Sequence, residues 1–164
     1  MASGGHPEDG IAELNQGIAA YRATGGELFM PFLLAANAGT RQETGRSGED
    51  SLDLLSEAVS RTSMTGERCY EAELHRLRGE CVLSLAGPNQ AAAEASFQQA
   101  IEVARNQNAK MWELRGAASL ARLWRRQGRC AEARDLLAPV YGWFTEGLDV
   151  RDLADARELL VQLE

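Results

Sequence analysis

Residues 109–141 read AKMWELRGAASLARLWRRQGRCAEARDLLAPVY, and this stretch decides the fold class. In its first half, apolar residues recur every three to four positions, which is typical of one face of an α-helix. They are Met111, Leu114, Ala118, Ala121, Leu123 and Trp124. Gly128 follows at a position where a helix end favours a residue that tolerates positive φ. A second apolar stripe then runs from Ala133 to Val140. The stretch therefore predicts two antiparallel helices joined by a short turn.

The same pattern recurs along the chain with steps of 40 to 42 residues. At the starts of the first helices, Phe29, Tyr70 and Trp112 are separated by 41 and 42 residues. Three registers in the second helices repeat likewise: Leu14, Leu55, Phe97 and Leu137; Gly17, Ala58, Ala100 and Val140; Ile18, Val59, Ile101 and Tyr141. Agreement in four parallel registers indicates a helical repeat array. Units of this form are typical of the tetratricopeptide repeat (TPR), although the period exceeds its usual length of about 34 residues.

We therefore predict an all-α, TPR-like helical superhelix of about eight helices in antiparallel pairs. Residues 1–7 contain Gly and Pro and are expected to form a disordered tail. The repeats cover 8–147, with a leading helix at 8–24 and units at about 27–66, 68–107 and 110–146. The leading helix lacks a partner first helix. A last amphipathic helix at 150–164 is expected to cap the exposed end of the stack.

Composition narrows the classes of function. The chain carries 17 basic and 24 acidic side chains, and the net charge of −7 argues against a nucleic-acid surface as its main purpose. It has no run of about 18 apolar residues that would span a membrane, and MASGGHPEDG does not resemble a secretion signal. Cys69, Cys81 and Cys130 lie inside helical patterns without a CxxC motif, which favours reduced thiols. We expect a cytoplasmic protein.

Little in the sequence points to catalysis. His75 and Glu71 lie four residues apart on one helix face, but one histidine and one glutamate make only half a metal site. Cys81 and Cys130 fall among apolar residues and are expected to be small core residues. The glycine-rich spots follow no strand and lack the lysine of a phosphate loop. We predict no catalytic site, no cofactor and no metal.

The candidate binding site is a basic spot on the first helix of the third unit. In TPR stacks the first helices line a concave groove, and the repeat register places charged residues of two units on that side. These are Glu73, Arg76, Glu80, Arg115, Arg122 and Arg126. Guanidinium groups bind carboxylates bidentately, so the spot suits a peptide carboxylate or an acidic helix. Alternatively, the arginines pair with Glu73, Glu80 or Glu113 and only solvate the surface, where each pair contributes roughly 0–1 kcal/mol.

The three tryptophans have different expected environments. Trp124 occupies an inter-helix packing position and is predicted to be core. Trp112 aligns with Phe29 and Tyr70 and is expected to pack between units. Trp143 either packs under the C-terminal helix or belongs to an interface.

Two segments, EAELHRLRGE (71–80) and WELRGAASLARLWRRQGRCAEARDLLAPVYGWFTEG (112–147), resemble a known family. It is the C-terminal TPR region of large bacterial signalling ATPases, which often carry an adenylate/guanylate cyclase domain or a transcription-activator DNA-binding domain at the N-terminus. The resemblance spans roughly residues 8–164 and implies a sensor or docking arm. The chain departs from the family in lacking a GxxxxGK[ST] loop and the length for a cyclase domain. Cyclase or ATPase activity is therefore not implied, and we expect either a fragment or a free-standing repeat protein.

These observations predict a non-catalytic protein–protein interaction module of a bacterial signalling or transcription-control system. A stiff concave surface would present Arg and Glu side chains to an extended peptide or a helix. The first alternative is a self-association or spacer element, with a homodimer formed through the open N-terminal end; an apolar patch on helix 8–24 would favour it. The second alternative is a small-molecule sensor, which a deep apolar pocket with convergent polar groups would support.

Overall fold

The computed structural model describes residues 7–46 and 48–164, and this part of the chain is all-helical without strands. It contains eight α-helices, as the periodicity predicts. They are α1 (Pro7–Ala23), α2 (Met30–Glu43), α3 (Glu49–Thr65), α4 (Glu71–Ser84), α5 (Gln90–Asn106), α6 (Lys110–Arg126), α7 (Cys130–Tyr141) and α8 (Arg151–Gln162). The predicted disordered tail falls almost wholly on residues 1–6, which lie outside the described residues.

Two helices begin later than the sequence predicts. The sequence pattern places the start of α2 near Glu27, but α2 begins at Met30, because Phe29 adopts the left-handed conformation with φ 65°. Pro31 then occupies the first turn, where the missing N–H is tolerated. Likewise α4 begins at Glu71 rather than at Arg68, so Cys69 lies in the preceding turn and is exposed. The expectation that all three cysteines lie inside helices is therefore wrong for Cys69.

Glycine ends helices where the sequence places it. Gly66 follows α3 with φ 75°, and its N–H donates to the carbonyl oxygen of Thr62. Gly128 lies between α6 and α7 with φ 79°. A residue with a Cβ is strained in this region, which explains why glycine marks these two turns.

Neighbouring helices in the chain pack against each other, and the even-numbered helices also contact one another in the order α2, α4, α6, α8. Antiparallel packing of α4 and α5 is shown by Gln107 after α5, whose side-chain amide donates to the Arg68 carbonyl before α4 at 2.8 Å. Near the opposite end of α5, the Trp124 indole of α6 donates to Glu94 at 2.9 Å. These contacts join the end of one helix to the start of its neighbour.

The core consists of a larger and a smaller cluster of buried side chains. One cluster joins α1 to α4 and includes Met30, Leu34 and Leu55, while the other joins α5 to α8 around Phe97 and Leu137. Leu14, Leu55, Phe97 and Leu137 share a repeat register, and the last three are fully buried. Burial of these repeat positions explains the recurrence of large apolar residues in that register.

The last helix, α8, packs on both α6 and α7. Its buried side chains are Leu153, Ala156 and Leu159, with Leu163 just beyond it. These residues belong to the same cluster as Phe97 and Leu137. Within residues 7–46 and 48–164, none of the helices has the length and apolar character to cross a lipid bilayer.

Candidate functional site

An open groove of about 310 Å³ lies on the surface formed by α2, α4 and α6. Its apolar floor includes Ala35, Ala36 and Leu77, and Gly39 adds no side chain to it. A Cβ added at Gly39 would meet only Leu77 Cδ2, at 3.8 Å. The groove is therefore widened at this point by the absence of a side chain, not closed by backbone.

Three aromatic rings, one from each contributing repeat, form one wall of the groove. Phe32 and Tyr70 have ring centroids 4.7 Å apart, and Tyr70 and Trp112 have centroids 5.9 Å apart, both pairs with tilted rings. The guanidinium of Arg115 lies over the Trp112 ring, 5.2 Å from its centroid. Phe32 remains 38% exposed although it contacts Tyr70. The wall therefore presents apolar ring surface to solvent.

The Glu73 carboxylate is the centre of an ionic network beside this wall. Its two oxygens accept hydrogen bonds from Nε and Nη2 of Arg76, both at 2.8 Å. The Arg115 guanidinium approaches the same carboxylate at 2.9 Å and lies 3.8 Å from Asp152 on α8. The Glu73 side chain is 9% exposed and that of Arg76 13% exposed. A nearly buried carboxylate is thus neutralised by two arginines from adjacent repeats.

Glu80 and Ser119 extend the network between α4 and α6. The Ser119 hydroxyl donates to Glu80 Oε1 at 2.6 Å, and Arg76 Nη1 lies 3.5 Å from the same carboxylate oxygen. Burial lowers the pKa of Arg76, but hydrogen bonding to Glu73 and the charges of Glu73, Glu80 and Asp152 outweigh this effect and raise it. Arg76 is therefore a fixed cation held by three surrounding carboxylates.

A smaller cavity of about 90 Å³ adjoins the groove on the side of α8. Arg76 and Arg115 line both cavities, and the smaller one is completed by Arg122, Asp152 and Asp155, among others. Among the described residues, Arg122 forms no ion pair within 4.0 Å. Its guanidinium lines the cavity without being held by either aspartate.

The structure brings together four of the six predicted site residues, Glu73, Arg76, Glu80 and Arg115. Arg122 borders the adjoining cavity. Arg126 is exposed near the end of α6 and lines neither of these two cavities. The predicted alternative, pairing with nearby glutamates, describes the contacts of Arg76 and Arg115 with Glu73.

Sequence reasoning missed Phe32, Asp152 and Asp155. The register alignment gives Phe29 as the equivalent of Tyr70 and Trp112, but Phe29 precedes the helix and is 55% exposed. Phe32 takes the ring-packing position instead. Pro31, which marks the first turn of α2, is the signal that could have corrected the alignment. The two aspartates lie on α8, outside the repeat, so no register connects them to the groove.

Other singled-out residues lie elsewhere. His75 is half-buried; burial lowers its pKa, opposed by Glu71 and reinforced by Arg78. Cys81 is buried and Cys130 half-buried. Trp124 is only half-buried, with the Arg129 guanidinium 4.4 Å from its ring centroid, so its assignment to the core is wrong in part. Trp143 is 59% exposed and contacts Phe144 edge-on.

Comparisons with protein-family models, with curated proteins and with solved structures found no match for this chain.

Proposed function

We propose that this chain is a non-catalytic TPR-like module that binds a segment of another protein in the groove of α2, α4 and α6. The observation that carries the proposal is the row formed by Phe32, Tyr70 and Trp112 above an apolar floor. Exposed aromatic surface that lines a groove is a recurrent feature of peptide recognition. The groove volume of about 310 Å³ suits one or two anchoring side chains rather than an entire helix.

Contacts between residues about one repeat apart support the superhelix. Tyr70 packs on Trp112, and Glu73 pairs with Arg115, both across a separation of 42 residues. Such contacts are expected when each unit stacks on the next. The resemblance of residues 71–80 and 112–147 to signalling ATPases supports a role in a cytoplasmic bacterial signalling or transcription-control system, adenylate cyclase-associated systems included.

The test is to select a phage-displayed library of random dodecapeptides on this chain and to compare binding to a groove-filled variant. In Gly39→Met a neutral side chain enters the groove, and Ala36→Met does so one turn earlier. Gly17→Met is the matched control, because Gly17 is an exposed glycine of α1 with nothing within 4 Å of an added Cβ. Circular dichroism would establish that all three variants are helical.

We expect the selected peptides to bind the original chain and Gly17→Met equally, and to lose at least tenfold in affinity for Gly39→Met or Ala36→Met. Peptides that bind all four proteins equally would contradict the groove as the working surface. The same conclusion would follow if no peptide were enriched over the uncoated support.

Self-association is the second candidate, and exposed apolar residues favour it. Leu28 and Phe29, before α2, are 59% and 55% exposed. On α1 itself, Ile11 and Ile18 are buried, and none of the large exposed apolar side chains in the described residues lies on that helix. Light scattering coupled to size exclusion would show a dimer that a Leu28→Ser/Phe29→Ser variant converts to monomer. A small-molecule sensor is less favoured because the groove is open rather than a deep pocket.

A further inference from the structure

We infer that the groove selects a cationic segment with an apolar anchor, and not the acidic segment that its arginines suggest. This inference rests on the proposed function and specifies the chemistry of the partner. It follows from the charge that remains once the internal ion pairs of the site are taken into account.

The arginines of the groove already have carboxylate partners. Arg76 makes two hydrogen bonds to Glu73, and Arg115 contacts Glu73 at 2.9 Å. One face of the Arg115 guanidinium also lies over the Trp112 ring. An incoming carboxylate would have to displace Glu73, a nearly buried group, from both arginines. Leaving such a carboxylate without its partners is strongly unfavourable, so the site is poorly suited to acidic ligands.

The charge that remains around the two adjoining cavities is negative. Their linings contain four carboxylates and three guanidiniums, namely Glu43, Glu73, Asp152 and Asp155 against Arg76, Arg115 and Arg122. Glu80, bonded to Arg76 and Ser119, adds a fifth carboxylate at their edge. The whole chain has a net charge of −7. Both the local and the long-range field therefore attract cations and repel anions.

Glu43 is the carboxylate that is available to a ligand. It lies at the end of α2, is exposed, and lines the groove beside Gly39. Among the described residues it has no ion-pair or hydrogen-bond partner. A lysine or arginine of the ligand can lay its aliphatic stem on the apolar floor and place its charged head at Glu43. An aliphatic or aromatic neighbour in the ligand can then contact the rings of Phe32 and Tyr70.

The composition of the library-selected peptides tests this inference separately from the proposed function. We consider only peptides that bind the original chain and Gly17→Met but not Gly39→Met. We expect these groove-dependent peptides to combine Lys or Arg with an apolar anchor and to carry a net positive charge. Groove-dependent peptides with a net negative or zero charge would overturn the inference while leaving the proposed function intact. Absence of groove-dependent peptides would overturn both.

The contribution of Glu43 is measured on the best groove-dependent peptide by isothermal titration calorimetry. Glu43→Gln should weaken binding about two- to fivefold, as expected for removal of one exposed ion pair, and the salt dependence should become shallower. Glu13→Gln is the matched control, because Glu13 is an exposed glutamate of α1 away from the groove. Equal affinities of Glu43→Gln and Glu13→Gln for the peptide would overturn the assignment of Glu43.

Discussion

The ring of Phe97 on α5 lies directly against the backbone of Gly79 on α4. A Cβ added at position 79 would come closer than 3.0 Å to three carbons of that ring. Gly79 is buried within a helix, and Phe97 is fully buried. The glycine therefore serves close helix packing rather than a turn. It allows α4, which carries Glu73 and Arg76, to approach its partner helix.

Gly79→Ala should destabilise the protein by about 1–3 kcal/mol, because the enclosed Phe97 ring has no room to withdraw. Gly17→Ala is the matched control, since an added Cβ there meets nothing within 4 Å. It should stabilise the protein by about 0.5–1 kcal/mol through helix propensity. Urea denaturation followed by circular dichroism measures both. If the two variants shifted stability in the same direction, the close approach of α4 and α5 would be disproved.

Removal of Glu73 should expose the dependence of Arg76 on its partner. Glu73→Leu leaves the guanidinium of Arg76, which is 13% exposed, with only the longer contact to Glu80. We expect a loss of about 2–4 kcal/mol in the free energy of unfolding. The double variant Glu73→Leu/Arg76→Met should recover part of that loss, because it removes the unpaired charge as well. The measurement is a double-mutant cycle by chemical denaturation.

Additive effects of the two substitutions would contradict this account of the network. The single variant Arg76→Met provides the remaining corner of the cycle. Arg115 also contacts Glu73, at 2.9 Å, so full recovery is not expected in the double variant.

Glu113 should make stability depend on pH. Burial opposes ionisation of this carboxyl, but hydrogen bonds from Arg105 and Lys110 outweigh that effect and lower its pKa from the ordinary value of 4.5. A lowered folded-state pKa stabilises the protein above the unfolded pKa, and this contribution is lost as pH falls through the folded pKa. Glu113→Gln should therefore cost about 1 kcal/mol at pH 7, a modest value because Arg105 reaches solvent. The difference from the original chain should shrink below about pH 4.5.

Denaturation curves recorded between about pH 3 and pH 7 check this prediction. Glu102→Gln serves as the control, since Glu102 is an exposed glutamate of the neighbouring helix α5. A Glu113→Gln difference that stayed constant over this range would mean that ionisation of Glu113 does not contribute to folding.

Much of the helical organisation could be predicted from the sequence. The bounds of α5, α6 and α7 differ from the predicted bounds by a few residues at most, because apolar periodicity and terminal glycines are local signals. The groove residues Glu73, Arg76 and Arg115 also followed from the repeat register, which places equivalent positions on one side of successive units. Phe29 shows the limit of that register, because one left-handed residue moved the ring-packing role to Phe32.

The sequence by itself determined the helices, their turns and the residues that recur at the repeat spacing, since these depend on interactions between near neighbours in the chain. Only the tertiary structure decided which charges remain available. Glu73 binds arginines of two helices, and Asp152 reaches the same network from α8. These pairings depend on how side chains from distant segments meet, and on how far each is removed from water. The same arginines that suggest an acidic partner in the sequence are therefore engaged in the folded protein, and Glu43 is left to face the groove.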